Sequence, residues 1–222
     1  MKGVYLMITE ENTIRITATF NEEKTHRYSL RREWDSTKKS ACIIMSNSSN
    51  ADVMRGDLTS LLIQNNLASL DYGAVIAVNL FSYRCSKLDL SKDVDITQLT
   101  NTDNEQQIVQ AVKDSDITIL AIGTLAKTYK RALPYQNRLY DLLRDYQDKI
   151  HVIAAPCGTE GLHPLSGKLR ADGSWTLVKY KLPEPPKPEP STDMDAVSTS
   201  DKGSKQAKQN KQDKKVIPLA TQ

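Results

Sequence analysis

Glycine is scarce in this chain, nine among 222 residues, and none falls in a G-x-G-x-x-G or G-x-x-x-x-G-K-[ST] pattern. Those patterns let a backbone wrap a pyrophosphate, so a nicotinamide cofactor or P-loop reading is disfavoured and no cofactor is expected. Cysteine is also rare. Cys42, Cys85 and Cys157 are odd in number and widely spaced, with no C-x-x-C, which argues against a disulfide framework and a zinc site. A reduced, cytoplasmic setting is expected. The chain has no run near the roughly 18 apolar residues of a membrane span, so no membrane partner is expected. The opening "MKGVYLMITEENTIR" has too short an apolar stretch for a signal peptide. Charge of one sign is lacking too: 30 Lys+Arg face 27 Asp+Glu, a formal net charge of +3, too small by itself to imply nucleic acid.

What is present reads as one α/β domain over residues 1–181 and a tail over 182–222. The tail opens "LPEPPKPEP" and continues in Ser, Asp, Lys and Gln with few branched or aromatic side chains. Such a segment cannot bury enough surface to offset its ordering entropy, so disorder is predicted. Earlier in the chain, "GVYLMITE" and "TIRITATF" read as an N-terminal β-hairpin turning at "ENT", with "HRYSLRREWD" a third extended piece. "ACIIMS", "GAVIAVNLFSY", "DITILAIG" and "KIHVIAAP" are apolar on both faces, as strands of a covered sheet are. Helical patterns separate them. "DLTSLLIQNNLASL" carries Leu58, Leu61, Leu62 and Leu67 at helical spacing, "TDNEQQIVQAVKDS" is capped by Thr102 or Asp103, and "TLAKTYKRALPYQNRLYDLLRDYQ" breaks near Pro134. "GSWTLVKYKL" is a last strand at an edge. The expectation is a three-layer α/β/α fold around a mainly parallel four-stranded sheet.

In such a sheet, ligands bind beyond the carboxyl ends of the parallel strands. There the sequence places Ser46, Asn47, Ser48, Ser49, Asn50 and Asp52; then Asn79, Phe81 and Arg84; then Gly123 and Thr124; then His163, Pro164 and Ser166. Small polar residues at strand ends form turns and caps as readily as sites, and Asp57 suits either a cap on the helix beginning at Leu58 or a binding role. Asn79 sits in an apolar strand and needs buried partners. Arg84 suits either a phosphate clamp or a surface ion pair. His163, held before a proline, suits either proton transfer and anion stabilisation or a bond to its own backbone.

Taken together, "RYSLRREWD", "CIIMSNSSNADVMRGDLTS", "VNLFSYR", "TDN", "ILAIG" and "GLHPLSGKLR" resemble a bacterial group known as domain-of-unknown-function family 1643, from about residue 25 to residue 170. Its pattern is matched by Arg27, Tyr28, Leu30, Trp34 and Asp35; by Asn47, Ser49, Ala51, Asp52, Asp57 and Thr59; by Asn79, Leu80, Phe81 and Arg84; by Asp103 and Asn104; by Gly123; and by His163, Pro164 and Leu165. Ser48 stands where the family has proline, Ile122 where it has tryptophan, and Leu162 where a basic residue is common. More distantly, the layout is similar to the uracil-DNA glycosylases. That likeness implies hydrolysis of an N-glycosidic bond on a flipped nucleotide. Asn47 or Asp52 would orient water, His163 would stabilise the departing base, Arg84 would grip a phosphate, and Phe81 or Tyr83 would stack. Ser48, Ser49, Asp57, Asn79, Gly123 and Pro164 would help to bind the ligand. The implied partner is nucleic acid or a nucleotide, and no oligomeric state is implied. The alternatives are a non-catalytic nucleotide or nucleic-acid binder, and a protein-interaction module acting through the tail.

Overall fold

The computed structural model describes residues 7–91, 94–172 and 174–185. Among them the chain forms β1 (Arg15–Phe20), β2 (Arg27–Glu33), β3 (Lys39–Ser48), α1 (Leu58–Ser69), β4 (Tyr72–Arg84), α2 (Thr102–Lys113), β5 (Ile117–Leu120), α3 (Leu125–Thr128), α4 (Leu133–Leu143), β6 (Ile150–Ala154), α5 (Gly167–Asp172) and β7 (Thr176–Lys179). Short 3-10 turns fill Ile96–Leu99, Lys130–Ala132 and Arg144–Lys149.

The strands make one mixed seven-stranded sheet in the order β1-β2-β4-β3-β5-β6-β7, which corrects the four-stranded sheet expected above. β4, β3, β5 and β6 are parallel neighbours, while β1, β2 and β7 run antiparallel at the two sides. The hairpin was misplaced. Residues 7–14 carry no strand, and residues 1–6 of the first expected strand lie outside the described residues. The turn falls instead between β1 and β2. Asn21 closes it, its Oδ1 accepting from the His26 N–H at 2.7 Å and its Nδ2 donating to Glu23 and Thr25. A local Asn side-chain bond of this kind competes well with ladder pairing.

Two faces of the sheet are covered because side chains alternate along each strand. Cys42 and Ile44 of β3 pack with Ile108 and Val112 of α2 and Leu139 and Leu143 of α4. Ala41, Ile43 and Met45 pack with Ile63 and Leu67 of α1 and Leu169 of α5. Each fully buried leucine or isoleucine contributes about 1.5–3 kcal/mol. On α1 the buried stripe is Ile63 and Leu67; Leu58 and Leu61 face solvent. α2 is capped by Asn101, whose side chain accepts from the Asn104 N–H, rather than by Thr102 or Asp103. Pro134 sits in the first turn of α4, where its missing N–H costs nothing, and the helical break falls before it.

From β3 the chain crosses through α1 to β4 on one side, then through α2 to β5 on the other. This reversal makes the carboxyl end of β3 the topological switch point, the place where such sheets open a crevice. At the other end of the fold, Leu182 is buried, its N–H donates to Gln147 Oε1, and Pro183 accepts from Arg144. Residues 182 and 183 are thus tied to the 3-10 turn Arg144–Lys149. The disorder expected of the tail lies, from residue 186 onward, outside the described residues. Among the described residues no helix is long and apolar enough to cross a membrane.

Candidate functional site

A cavity of about 140 Å³ opens at the carboxyl end of β3, on the α1 face. Met45 and Asn47, two residues apart on β3, point into it together with Val75 and Ala77 of β4 and Ile63 of α1. Asp57, Thr59 and Ser60 line it from the start of α1, Ser49 from the preceding loop, and His163 and Leu165 from the loop before α5. β2 adds Leu30, Arg32 and Arg27. By simple alternation Arg27 would face away from Leu30. The β1–β2 register slips, however, pairing Thr19 with Ser29 and Phe20 with Arg27, so Tyr28 has no opposite number. Such a bulge re-aims a side chain, and here it brings Arg27 round to the cavity face.

Arg27 is 2% exposed, and its Nη1 donates to the Ala51 carbonyl, which pins the β3–α1 loop. Burial pulls its pKa down to about 10, opposed by the negative charge of Asp57. It remains a cation at neutral pH. Asp57 is half-buried. Its Oδ1 caps α1 by accepting the Ser60 N–H at 2.7 Å, and Ser49 also donates to it. Burial pushes its carboxyl up, but the bonds from Ser60 and Ser49 and the charge of Arg27 outweigh that, so its pKa lies below the ordinary value. The cavity thus holds an ionised carboxylate.

Burial lowers the pKa of His163, with Asp57 opposing. Its Nδ1 accepts the Leu165 N–H at 3.1 Å, so the proton of the neutral ring sits on Nε2. His163 is therefore a neutral donor beside an anion. Asn47 uses its Nδ2 on the Cys85 carbonyl at 3.2 Å, leaving Oδ1 as an acceptor. That bond and the one from Ser46 to the Ile122 carbonyl tie the end of β3 to both neighbouring strands.

The structure brings together Asn47, Ser49, Asp57 and His163. The other candidates lie elsewhere. Ser48 is fully buried and its hydroxyl has no partner. Asp52 does not line the cavity; its Oδ1 accepts from the Met54 and Arg55 N–H groups in a tight turn. Asn79 is fully buried with both side-chain polar atoms unpartnered, while its carbonyl accepts from Asn104. Phe81 packs in the core with its ring 5.4 Å from that of Tyr135. Arg84 donates to the Lys24 and Asn50 carbonyls and stacks over Phe20, bracing two loops. Gly123 adopts a left-handed φ of 60°, where a Cβ would stand 3.8 Å from the His163 Cβ; it lines a second cavity on the opposite face. Pro164 is buried beside His163. Sequence reasoning missed Arg27, Arg32, Thr59, Ser60 and Ser86 as lining residues. The bulge that turns Arg27 inward leaves no mark in the alternation pattern, although Arg27 and Thr59 both stand in the family pattern. Among the described residues no cluster of His, Cys, Asp or Glu has the grouping to hold a metal ion.

Fold and site together define an α/β protein with a small cavity, part polar and part apolar, at the switch point of its parallel strands. The chain belongs to the family described as Protein of unknown function (DUF1643), which matches residues 27–165 and so takes in every residue lining the cavity. None of the curated proteins matches the chain.

Proposed function

We propose that the cavity receives a single nucleobase and that the protein hydrolyses its N-glycosidic bond. The observation that carries this reading is the pairing of an ionised carboxylate, Asp57, with a neutral N–H donor, His163, in one small cavity. The cavity size supports it as well. About 140 Å³ is close to the ~150 Å³ of an engineered cavity that holds one benzene ring, and is well below the ~300 Å³ at which pockets for larger ligands begin. One six-membered ring fits, with the attached sugar left at the mouth.

In the reaction the bond between the sugar C1′ and the base nitrogen breaks with its electron pair leaving on the base. Positive charge grows on the sugar and negative charge on the base. Asp57 opposes the first charge, as preorganised groups do where charge develops. Nε2–H of His163 donates to the second. Asn47 Oδ1 orients the water that adds to C1′; an amide takes no proton, so the water's proton passes to the departing base and the products are a sugar hydroxyl and a neutral base. The bonds from Ser60 and Ser49, with the charge of Arg27, keep the carboxylate ionised.

A second reading, binding without cleavage, has its own support, because the Asp57 carboxylate is already engaged as a helix cap. Chromatographic measurement of free base released from oligonucleotides carrying deaminated or alkylated bases separates the two. Release by the wild type and its loss in Asp57→Asn supports hydrolysis. Binding of free base with no release from any lesion supports the second reading. Neither release nor binding overturns both.

A further inference from the structure

The second cavity lies on the α4 face of the sheet, and no residue lines both it and the first. Its volume is about 410 Å³, within the ~300–1,000 Å³ of small-molecule sites. It sits where β5 and β6 end. Leu120, Ile122 and Val152 form its floor, each at most 7% exposed. Alternate residues of a strand face the same way, and these three share a core cluster with Leu139 and Leu143 of α4. Gln136 and Tyr140, four apart on α4, turn one helix face to the cavity. Tyr180, just after β7, makes a further wall, and Ala126 of α3 lines it as well.

The buried polar group here already has a partner: Tyr140, 8% exposed, accepts from Gln136 Nε2 at 2.9 Å. The unanswered groups are charges. Lys127 of α3 and Glu160 of the loop after β6 line the same cavity, and both are exposed. Among the described residues neither forms an ion pair, with the other or with any neighbour. The backbone of Glu160 is bridged to Ala154, which anchors it at the end of β6. A wholly apolar ligand would leave both charges unanswered, and a simple anion or cation would meet one charge of its own sign. A molecule with an apolar body, one carboxylate and one ammonium group answers both charges and covers the floor.

We infer that this second cavity binds a free α-amino acid with an apolar side chain. The side chain lies on Leu120, Ile122 and Val152 between the rings of Tyr140 and Tyr180, the carboxylate meets Lys127, and the ammonium meets Glu160. The inference does not rest on the nucleobase site. Burial of the side chain supplies affinity, and the paired charges supply the selection.

The test is calorimetric titration of the full chain with L-phenylalanine and L-leucine, beside N-acetyl-L-phenylalanine and L-phenylalaninamide, each of which keeps only one of the two charges. The free amino acids should bind and raise the melting temperature by mass action. Each capped form should bind more weakly by about tenfold or more, the worth of one hydrogen bond to a charged group. Glu160→Gln, at an exposed position, should keep the wild-type melting temperature without ligand and weaken the amino acids by a similar factor. Ala126→Trp, which fills the cavity, should abolish binding. No binding of either amino acid overturns the inference. Capped forms that bind as tightly as the free amino acid overturn it too, and so does unchanged affinity in Glu160→Gln, whether or not Ala126→Trp folds. An Ala126→Trp protein that folds and binds like wild type puts the ligand elsewhere and overturns it as well.

Discussion

Asp57 carries two roles that substitution can pull apart. Asparagine and serine are both good caps, so Asp57→Asn keeps the bond from the Ser60 N–H and removes only the charge. The charge matters to stability because Arg27 is buried and Asp57 is its principal opposing charge. At the effective dielectric that suits buried sites, its removal costs about 1–2 kcal/mol. Asp57→Ala loses the charge and the cap, and the cap alone is worth about 1 kcal/mol. The sum is about 2–3 kcal/mol. For a domain of this size each kcal/mol moves the melting temperature by about 2–4 °C. Calorimetry should therefore give a loss of about 2–8 °C for Asn and a clearly larger one for Ala. Base release should fall about 10²–10³-fold in both, since both lack the carboxylate. Adding Arg27→Met to Asp57→Asn should recover part of the stability, because the stranded cation is gone. An Asp57→Asn protein that releases base within threefold of wild type would refute the role given to the carboxylate, whatever its stability.

Three further outcomes follow from the geometry. The folded pKa of His163 lies below its unfolded value near 6.5, so the unfolded chain takes the proton first; stability present above that pH is lost as pH falls. Urea melts between pH 7.5 and 5.5 should be steeper in pH for wild type than for His163→Gln, and equal slopes would contradict this. Asn104 is fully buried and its Nδ2 donates to the Asn79 and Leu80 carbonyls and to Thr100 Oγ1, so Asn104→Ala, which removes these bonds from a buried site, should cost about 2–4 kcal/mol in urea denaturation. A loss below 1 kcal/mol would show the brace to be dispensable. A Cβ on Gly73 would stand 1.8 Å from the Asp35 carbonyl oxygen, whereas one on Gly123 meets nothing closer than 3.8 Å but sits at positive φ. Gly73→Ala should thus be the more damaging in thermal melts, with Gly123→Ala costing only about 1–2 kcal/mol; the reverse order would contradict the packing.

The buried strands were legible because a run such as Cys42–Met45 must be covered on both faces, and so were the helices between them. The hairpin was not, because "ENT" reads as a turn, while the local side-chain bonds of Asn21 that set the turn between β1 and β2 leave no mark in the apolar pattern. The segments of β1, β2 and β7 were legible as extended pieces, but that they join the parallel strands in one seven-stranded sheet is set by edge pairing, which leaves no periodic mark. Half of the site was legible. Asn47, Ser49 and His163 follow from the strand-end rule, and Asp57 enters through the resemblance. Phe81 and Arg84 stand at the same level of the sheet, but Phe81 turns to Tyr135 and Arg84 to backbone carbonyls, outcomes fixed by packing. Arg27 was hidden by a one-residue bulge.

The central claim is that one nucleobase enters the cavity beside His163. The chain has three histidines, His26, His151 and His163, so imidazole resonances can be followed one by one in a titration with free uracil, cytosine and adenine. A pyrimidine should shift the His163 resonances, His26 and His151 should stay still, and the bulkier adenine should do little. His163 resonances unmoved by every base at millimolar concentration would contradict it.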